Sequence, residues 1–210
     1  MKVTLKQYSP NYETLAKIAA GVCVGRAHNP TDKGFQHAIE SEHYSILEHL
    51  PLTFLIEDVS RSLTHQLVRH RIASYSQESQ RYTKLNSDVQ WFVIPESYVE
   101  KGLLDEYLVM MDTIANFYHM SVDAGIPKED ARFVLPNAAH TTILMTMNAR
   151  TFIEVASKRL CNRAQWEIRD LFTKMRDSIQ TVYPTVYELA KPPCVNGGCT
   201  EHNPCGNPWV

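Results

Sequence analysis

No apolar run in the 210-residue chain approaches the ~18–20 residues that a membrane span requires. The opening segment Met-Lys-Val-Thr-Leu-Lys-Gln-Tyr-Ser-Pro also lacks the continuous apolar stretch of a signal peptide, so a cytoplasmic location is expected. Excess charge of either sign is missing too. A net charge of -2 argues against a duplex-DNA binder, which needs a basic surplus to replace condensed counterions. Cysteine is scarce where a disulfide framework would need it: Cys23 and Cys161 stand singly in apolar helical patterns, while Cys194, Cys199 and Cys205 crowd the C-terminus. That distribution excludes an extracellular disulfide scaffold and predicts that Cys23 and Cys161 act as small buried hydrophobes. Internal repeats and low-complexity tracts are absent as well.

What is present is an ordinary globular composition, 44% hydrophobic and 21% charged, in a length that suits one domain with a full core plus a small appendage. The domain is expected over residues 1–190 and a Cys-rich tail over 191–210, with Pro192-Pro193 closing the regular fold. Alternation predicts strands over 3–8, 51–59, 89–94 and 140–147. Three-to-four spacing predicts helices over 11–24, 35–49, 60–68, 96–124, 151–161 and 164–190, with a short one after Ile126-Pro127. Ser60 is a candidate N-cap and Gly125 a fitting residue just past a helix end. Strands and helices in no strict alternation point to an α+β fold, a mixed sheet of a few strands packed with several helices.

The richest segment is 69–82, Arg-His-Arg-Ile-Ala-Ser-Tyr-Ser-Gln-Glu-Ser-Gln-Arg-Tyr. Adjacent cationic side chains repel each other, so a folded chain keeps them where solvent, carboxylates or a bound anion offsets the repulsion. Ser74, Ser76, Gln77, Ser79, Gln80 and Arg81 add the hydroxyls, amides and charge that phosphates and a pyrimidine edge engage. A nucleotide ligand fits this set. The bland reading covers only its start: Arg69 follows a predicted helix end, where the macrodipole favours a cation by roughly 0.3–1 kcal/mol.

Arg69-His70-Arg71, seven intervening residues and then Ser79 resemble the motif of the flavin-dependent thymidylate synthases, as do the embedded Ser-Tyr-Ser-Gln and Ser-Gln-Arg-Tyr pieces. The resemblance continues in family order through residues 43–49 with Thr53-Phe54, Asp130-Ala131-Arg132, Leu135-Pro136, Asn148-Ala149-Arg150, Arg159 and residues 164–168. It implies methylation of deoxyuridine monophosphate (dUMP) to thymidine monophosphate (dTMP), with 5,10-methylenetetrahydrofolate as carbon donor and FAD reduced by NADPH as hydride source. It further implies a homotetramer with FAD shared between subunits. Gln66, Arg69, Gln77, Glu78, Ser79, Gln80, Arg81 and Arg132 match dUMP-binding positions. Ser45, Glu48, Arg69, His70, Arg71, Gln77, Asn148 and Arg150 match FAD-binding positions, with His43 a neighbour of flavin or folate. Arg159 matches both a dUMP contact and the arginine that stabilises the ionised uracil ring, the catalytic role. Arginine suits these roles because it stays cationic and presents a planar fork to oxyanions. Four arginines at one site predict an open, wet cleft.

The chain departs from the family at Gln77, commonly glutamate, at Ser45, commonly threonine, and at Glu154, commonly asparagine or histidine. Glu154 brings a negative charge toward the expected flavin site and sits at helical spacing from Lys158 and Arg150. Carbon 5 of uracil is ordinarily activated by a thiolate adding to carbon 6, yet no cysteine lies near 69–82 in sequence. Ser79 is the alternative nucleophile, but no base partner marks it. The tail residues Cys194, Cys199, His202 and Cys205 form a chemically adequate zinc set with non-standard spacing, leaving a structural metal, a disulfide and a flexible reduced tail as options. Two other classes stay open at this point: a non-catalytic nucleotide or single-stranded RNA binder stacking bases on Tyr75 or Tyr82, and a metal-dependent nucleotide hydrolase built on His37, His43 and His49.

Overall fold

Local backbone geometry explains where the regular elements stop. The computed structural model describes residues 1–199 and 201–209. Four strands, β1 (Lys2–Gln7), β2 (Pro51–Ser60), β3 (Ser74–Gln77) and β4 (His140–Asn148), form a small antiparallel sheet in the order β1-β2-β4-β3. With its helices this makes an α+β fold, as predicted. The chain divides into two compact units, and each strand has residues in both. Unit 1 comprises Met1–Lys2, Ile56–Leu67 and Ser76–Ile143; unit 2 comprises Val3–Leu55, Val68–Tyr75 and Leu144–Val210.

In unit 1, Asp58 takes φ 56° inside β2, a left-handed conformation that aspartate tolerates better than most residues. The kink breaks the alternation of the strand, so the consecutive Val59 and Ser60 are both buried. Ser60 then caps α3 (Arg61–Leu67) through its hydroxyl, which accepts from the Leu63 amide at 2.9 Å. Residues 89–94 are not the strand that their composition suggests. They make a single isolated bridge, Phe92 with Ala139. The adjacent Trp91 and Phe92 are both buried, at 6% and 5% exposure, whereas a pleated strand would send one of them outward. They plug a core with Met111, Ala115 and Ala139.

The predicted helix over 96–124 is two helices, α4 (Glu96–Glu100) and α5 (Leu104–Asp123), because Gly102 turns the chain at φ 68°. Gly125, at φ 88°, closes α5 as expected, the Ile126 amide donating to the Ser121 carbonyl at 3.0 Å. The short α6 (Lys128–Ala131) follows, with one 3₁₀ turn at Arg132–Val134.

Unit 2 holds α1 (Tyr12–Cys23), α2 (Asp32–Glu40), α7 (Ala149–Arg159), α8 (Trp166–Ser178) and α9 (Pro184–Leu189). The helix expected over 35–49 ends at Glu40. Glu42 adopts φ 57°, the His43 amide donates back to the Ala38 carbonyl, and a 3₁₀ turn (Tyr44–Leu47) takes over. The polar run Glu40-Ser41-Glu42-His43 offers no apolar stripe to bury, so nothing holds a longer helix there. The helix expected over 164–190 likewise divides, with Pro184 starting α9 where its missing amide costs nothing. Phe54, Phe152 and Phe172 stack through the core, with ring centroids 5.9 and 6.1 Å apart. Cys23 is exposed and Cys161 half-buried, contrary to the expectation that both are core residues. Each lies at or just past a helix end, where the apolar stripe no longer faces the interior.

Tyr183 is fully buried, and its hydroxyl both accepts from the Ser9 amide at 2.7 Å and contacts the Pro51 carbonyl at 3.3 Å. Tyr183→Phe is expected to lower unfolding stability by about 1–3 kcal/mol, the cost of stranding those two groups. Urea denaturation checks this, and an unchanged midpoint would contradict it.

Candidate functional site

The predicted residues divide between the units, and each group has its own electrostatic logic. In unit 1 the 77–82 segment is held by main-chain bonds that leave it little freedom. The Glu78 amide donates to the Thr142 carbonyl at 2.9 Å, and the Thr142 amide returns a bond to the Glu78 carboxylate at 3.3 Å. Gln77 turns its amide onto the hydroxyl of Thr64 at 3.0 Å. Ser79 organises a turn: its hydroxyl accepts from the Arg81 amide, and its carbonyl accepts from the amides of Tyr82 and Thr83 at 3.0 Å each. A hydroxyl used this way shapes the loop, and no base is hydrogen-bonded to it among the described residues.

Cations then gather around that turn. Arg81 pairs with Glu129, its Nε and Nη2 lying 3.0 and 2.9 Å from the same carboxylate oxygen. The Arg132 Nε–H donates to the Glu129 carbonyl at 3.0 Å, and Lys128 donates to the Tyr82 carbonyl at 2.9 Å. Arg61 donates from Nη2 to the Glu78 carbonyl at 2.7 Å, while its Nε is buried without a hydrogen-bond partner among the described residues. Burial lowers the Arg61 pKa from its ordinary value, Glu78 opposes that shift, and the neighbouring Arg132 adds to it. Arg61, Glu78, Gln80, Thr83 and Lys84 line a cleft of 230 Å³. Gln66 is half-buried at the end of α3. Sequence reading missed Glu129 and Arg61; the only signal for Glu129 was its place beside Asp130-Ala131-Arg132.

Unit 2 carries the rest. Arg69 and Arg71 are exposed and enter no ion pair among the described residues. Between them His70 is half-buried, and its Nε2 accepts from the Arg159 Nε–H at 2.9 Å. Burial first, then the charges of Arg159 and Lys158, push His70 down from 6.5 to about 4, so the ring is neutral at pH 7. Arg159 is also half-buried, and burial lowers its pKa. The Tyr75 hydroxyl donates to the His70 carbonyl at 2.9 Å, and burial pushes that phenol up to about 12.

Arg150 is gripped by two carboxylates, Glu48 at 2.6 Å and Glu154 at 3.0 Å, which raise its pKa. Glu154 thus takes Arg150, one of its two candidate partners. Asn148 caps α7, its side-chain oxygen accepting from the Thr151 amide at 2.8 Å, and the NH₂ of the same amide is not used in that bond. Ser45, His43 and His49 are exposed.

Of the tail thiols, Cys194 and Cys199 line one small cleft with Cys161 and Glu201. Among the described residues no three of His, Cys, Asp and Glu converge to hold a metal ion. Cys194 Sγ accepts from the Trp209 amide at 3.5 Å, Cys205 Sγ donates to the Asn207 carbonyl at 3.1 Å, and His202 contacts Asn203. Cys199 is exposed. The tail is docked instead by Arg176, whose guanidinium lies 3.6 Å from the Tyr187 ring centroid and 5.1 Å from that of Trp209.

The donor sets suit phosphorylated ligands. Arg69 and Arg71, in no ion pair among the described residues, and the Asn148 amide are the kind of group that a diphosphate engages, whereas Arg150 is paired with two carboxylates. Exposed arginines with hydroxyls and amides interleaved suit a protein that binds an anionic ligand.

A family model described as thymidylate synthase complementing protein matches residues 4–185. A flavin-dependent thymidylate synthase of Geobacter sulfurreducens is 41% identical over 212 residues, covering 96% of this chain and 91% of its own length. One from Clostridium tetani is 37% identical over 227 residues, with the same coverage of both. The chain belongs to the flavin-dependent thymidylate synthase family. Among solved structures, the Helicobacter pylori thymidylate synthase X with FAD and dUMP has a TM-score of 0.72 at 25% identity, covering 90% of this chain and 98% of that one. A UMP/dUMP methylase from Streptomyces cacaoi, bound with 5-Br dUMP, reaches 0.78 at 21% identity over 90% of this chain and 93% of its own, a likeness of fold alone.

Between about pH 6.5 and pH 4 the unfolded chain protonates His70 and the native state does not, so stability falls as pH drops through that window. The urea midpoint of the wild type is expected to fall more between pH 7 and pH 4.5 than that of His70→Gln. Equal falls would contradict a depressed His70.

Proposed function

We propose that the protein converts dUMP to dTMP, with 5,10-methylenetetrahydrofolate as carbon donor and NADPH-reduced FAD. Family membership over nearly the whole chain supports the activity. The observation in the structure that carries it is Arg159, a half-buried guanidinium whose neighbour is a neutral imidazole instead of a carboxylate. A cation left unneutralised in a partly desolvated place is suited to negative charge that develops during reaction. Bound FAD supplies the hydride-transfer chemistry, and the residues here bind, orient and polarise.

In this reading Arg81 and Arg132 hold the nucleotide phosphate, with Arg69, Gln66, Gln77, Glu78, Ser79 and Gln80 shaping the rest of the dUMP site. Arg81 must trade Glu129 for phosphate, an exchange between two forked partners of like geometry. Arg69, His70, Arg71, Asn148 and Arg150, with Ser45, Glu48 and Gln77, form the FAD site. Arg159 stabilises negative charge on the uracil ring. Ser79 positions, since its hydroxyl accepts from the Arg81 amide within its own turn and no base is hydrogen-bonded to it among the described residues. The chain works as a homotetramer with FAD held between subunits. Exposed apolar side chains support such an assembly: Val109, Met110, Phe117 and Met120 on α5, and Phe133 at 82% exposure. No helix among the described residues is long and apolar enough to cross a membrane, consistent with action in the cytoplasm.

FAD-loaded protein given NADPH and methylenetetrahydrofolate is expected to release tritium from carbon 5 of labelled dUMP; no release by folded, yellow protein would overturn the reading. Arg159→Lys is expected to lower turnover about 100-fold while changing dUMP affinity far less, and an unchanged rate would remove its electrostatic role. Cys161→Ala, by contrast, retains turnover, because no thiolate takes part. A folded, FAD-binding but inactive Cys161→Ala would contradict that.

A further inference from the structure

His70 sits in the middle of a cationic run and faces a guanidinium, an arrangement that would be repulsive if the ring carried a proton. The Arg159 Nε–H donates to Nε2 of His70 at 2.9 Å, which requires a lone pair on that nitrogen and puts the ring proton on Nδ1. The backbone of His70 is fixed from the other side by the Tyr75 hydroxyl, bonded to its carbonyl at 2.9 Å. The charges that act on the ring among the described residues are cationic, Arg159 and Lys158 from α7, and Arg69 and Arg71 flank it in sequence. Tyr75, with its raised pKa, stays a neutral phenol. The ring is therefore a neutral acceptor throughout the working range of pH. A guanidinium held by Nε has the plane of its fork set, while its two terminal nitrogens remain outside that bond.

We propose that His70 is a positioning residue that holds Arg159 by its Nε–H and so sets the plane in which the terminal nitrogens of Arg159 meet the pyrimidine ring. The inference rests on the reading of Arg159 as the group that stabilises charge on uracil. It gives the central residue of Arg69-His70-Arg71 a role apart from flavin contact. Glutamine can replace the ring as an uncharged acceptor; leucine cannot.

The test uses the FAD-loaded enzyme. At saturating FAD, His70→Leu is expected to lower turnover about 100-fold, the scale of a misplacement near 1 Å, with dUMP affinity within about twofold of wild type. His70→Gln recovers most of the rate. Nitrogen NMR of the arginine Nε–H groups gives a readout independent of activity: the Arg159 signal is protected from exchange in wild type and His70→Gln and becomes exchange-broadened in His70→Leu. Full turnover in FAD-saturated His70→Leu would overturn the proposal, as would an Arg159 signal that stays protected in that variant or an equal loss of rate in His70→Gln. Arg159→Lys separates the two readings. If it is fast, the role of Arg159 itself fails; if it is slow while His70→Leu is fast, only the positioning role fails.

Discussion

Repulsion among closely set cations is the constraint on which the candidate site depends, and the chain answers it differently at each arginine. Arg81 is neutralised by a carboxylate from α6. Arg61 is partly desolvated and leans on a carbonyl, at the expense of one unsatisfied nitrogen. Arg150 has two acids. Arg159 has none among the described residues, and the structure tolerates it because its neighbour is an imidazole kept neutral. Arg69 and Arg71 are exposed and enter no ion pair among the described residues. The last two solutions leave positive charge free of a carboxylate, whereas Arg81 and Arg150 must exchange a carboxylate for any anion they bind.

The same economy explains why several polar residues that look like ligands are also architecture. Ser79 closes a turn, Asn148 caps α7, and Gln165 caps α8 by accepting from the amides of Glu167 and Ile168 at 3.0 and 3.1 Å. A cap sets where a helix begins and hence where its last turn falls. Asn148 therefore fixes the phase of α7, and the phase of α7 decides which way Arg159, at its far end, can reach. Binding groups presented from such caps have their positions determined by the backbone bonds they already make.

Much of this was legible in the chain. The α+β class, the strands at 51–60 and 140–148, the cap at Ser60 and the turn at Gly125 follow from periodicity and from local chemistry that acts within a few residues. The errors lie where a local signal was outvoted. Trp91 and Phe92 have strong strand propensity, yet both bury on one side, so tertiary packing prevails. Residues 35–49 looked continuous because nothing in their composition announces a left-handed Glu42. At the site, the Arg-His-Arg motif identified the neighbourhood but not the couplings. Glu129 reaches Arg81 across 48 positions and Arg159 reaches His70 across 89, separations over which no spacing rule operates. The split of Arg150 toward Glu154 was foreseeable from i,i+4 geometry, whereas its second partner, Glu48, was not.

The grip on Arg150 has an effect at longer range than a hydrogen bond. Two carboxylates on one guanidinium leave a net negative group at the start of α7, in the same unit that exposes Arg69 and Arg71, which enter no ion pair among the described residues. For a polyanion on this unit, charge is favoured toward Arg69 and Arg71 and disfavoured near Glu48 and Glu154 until Arg150 exchanges a carboxylate for it, so selection among ligands falls first on how their charge is spread along their length.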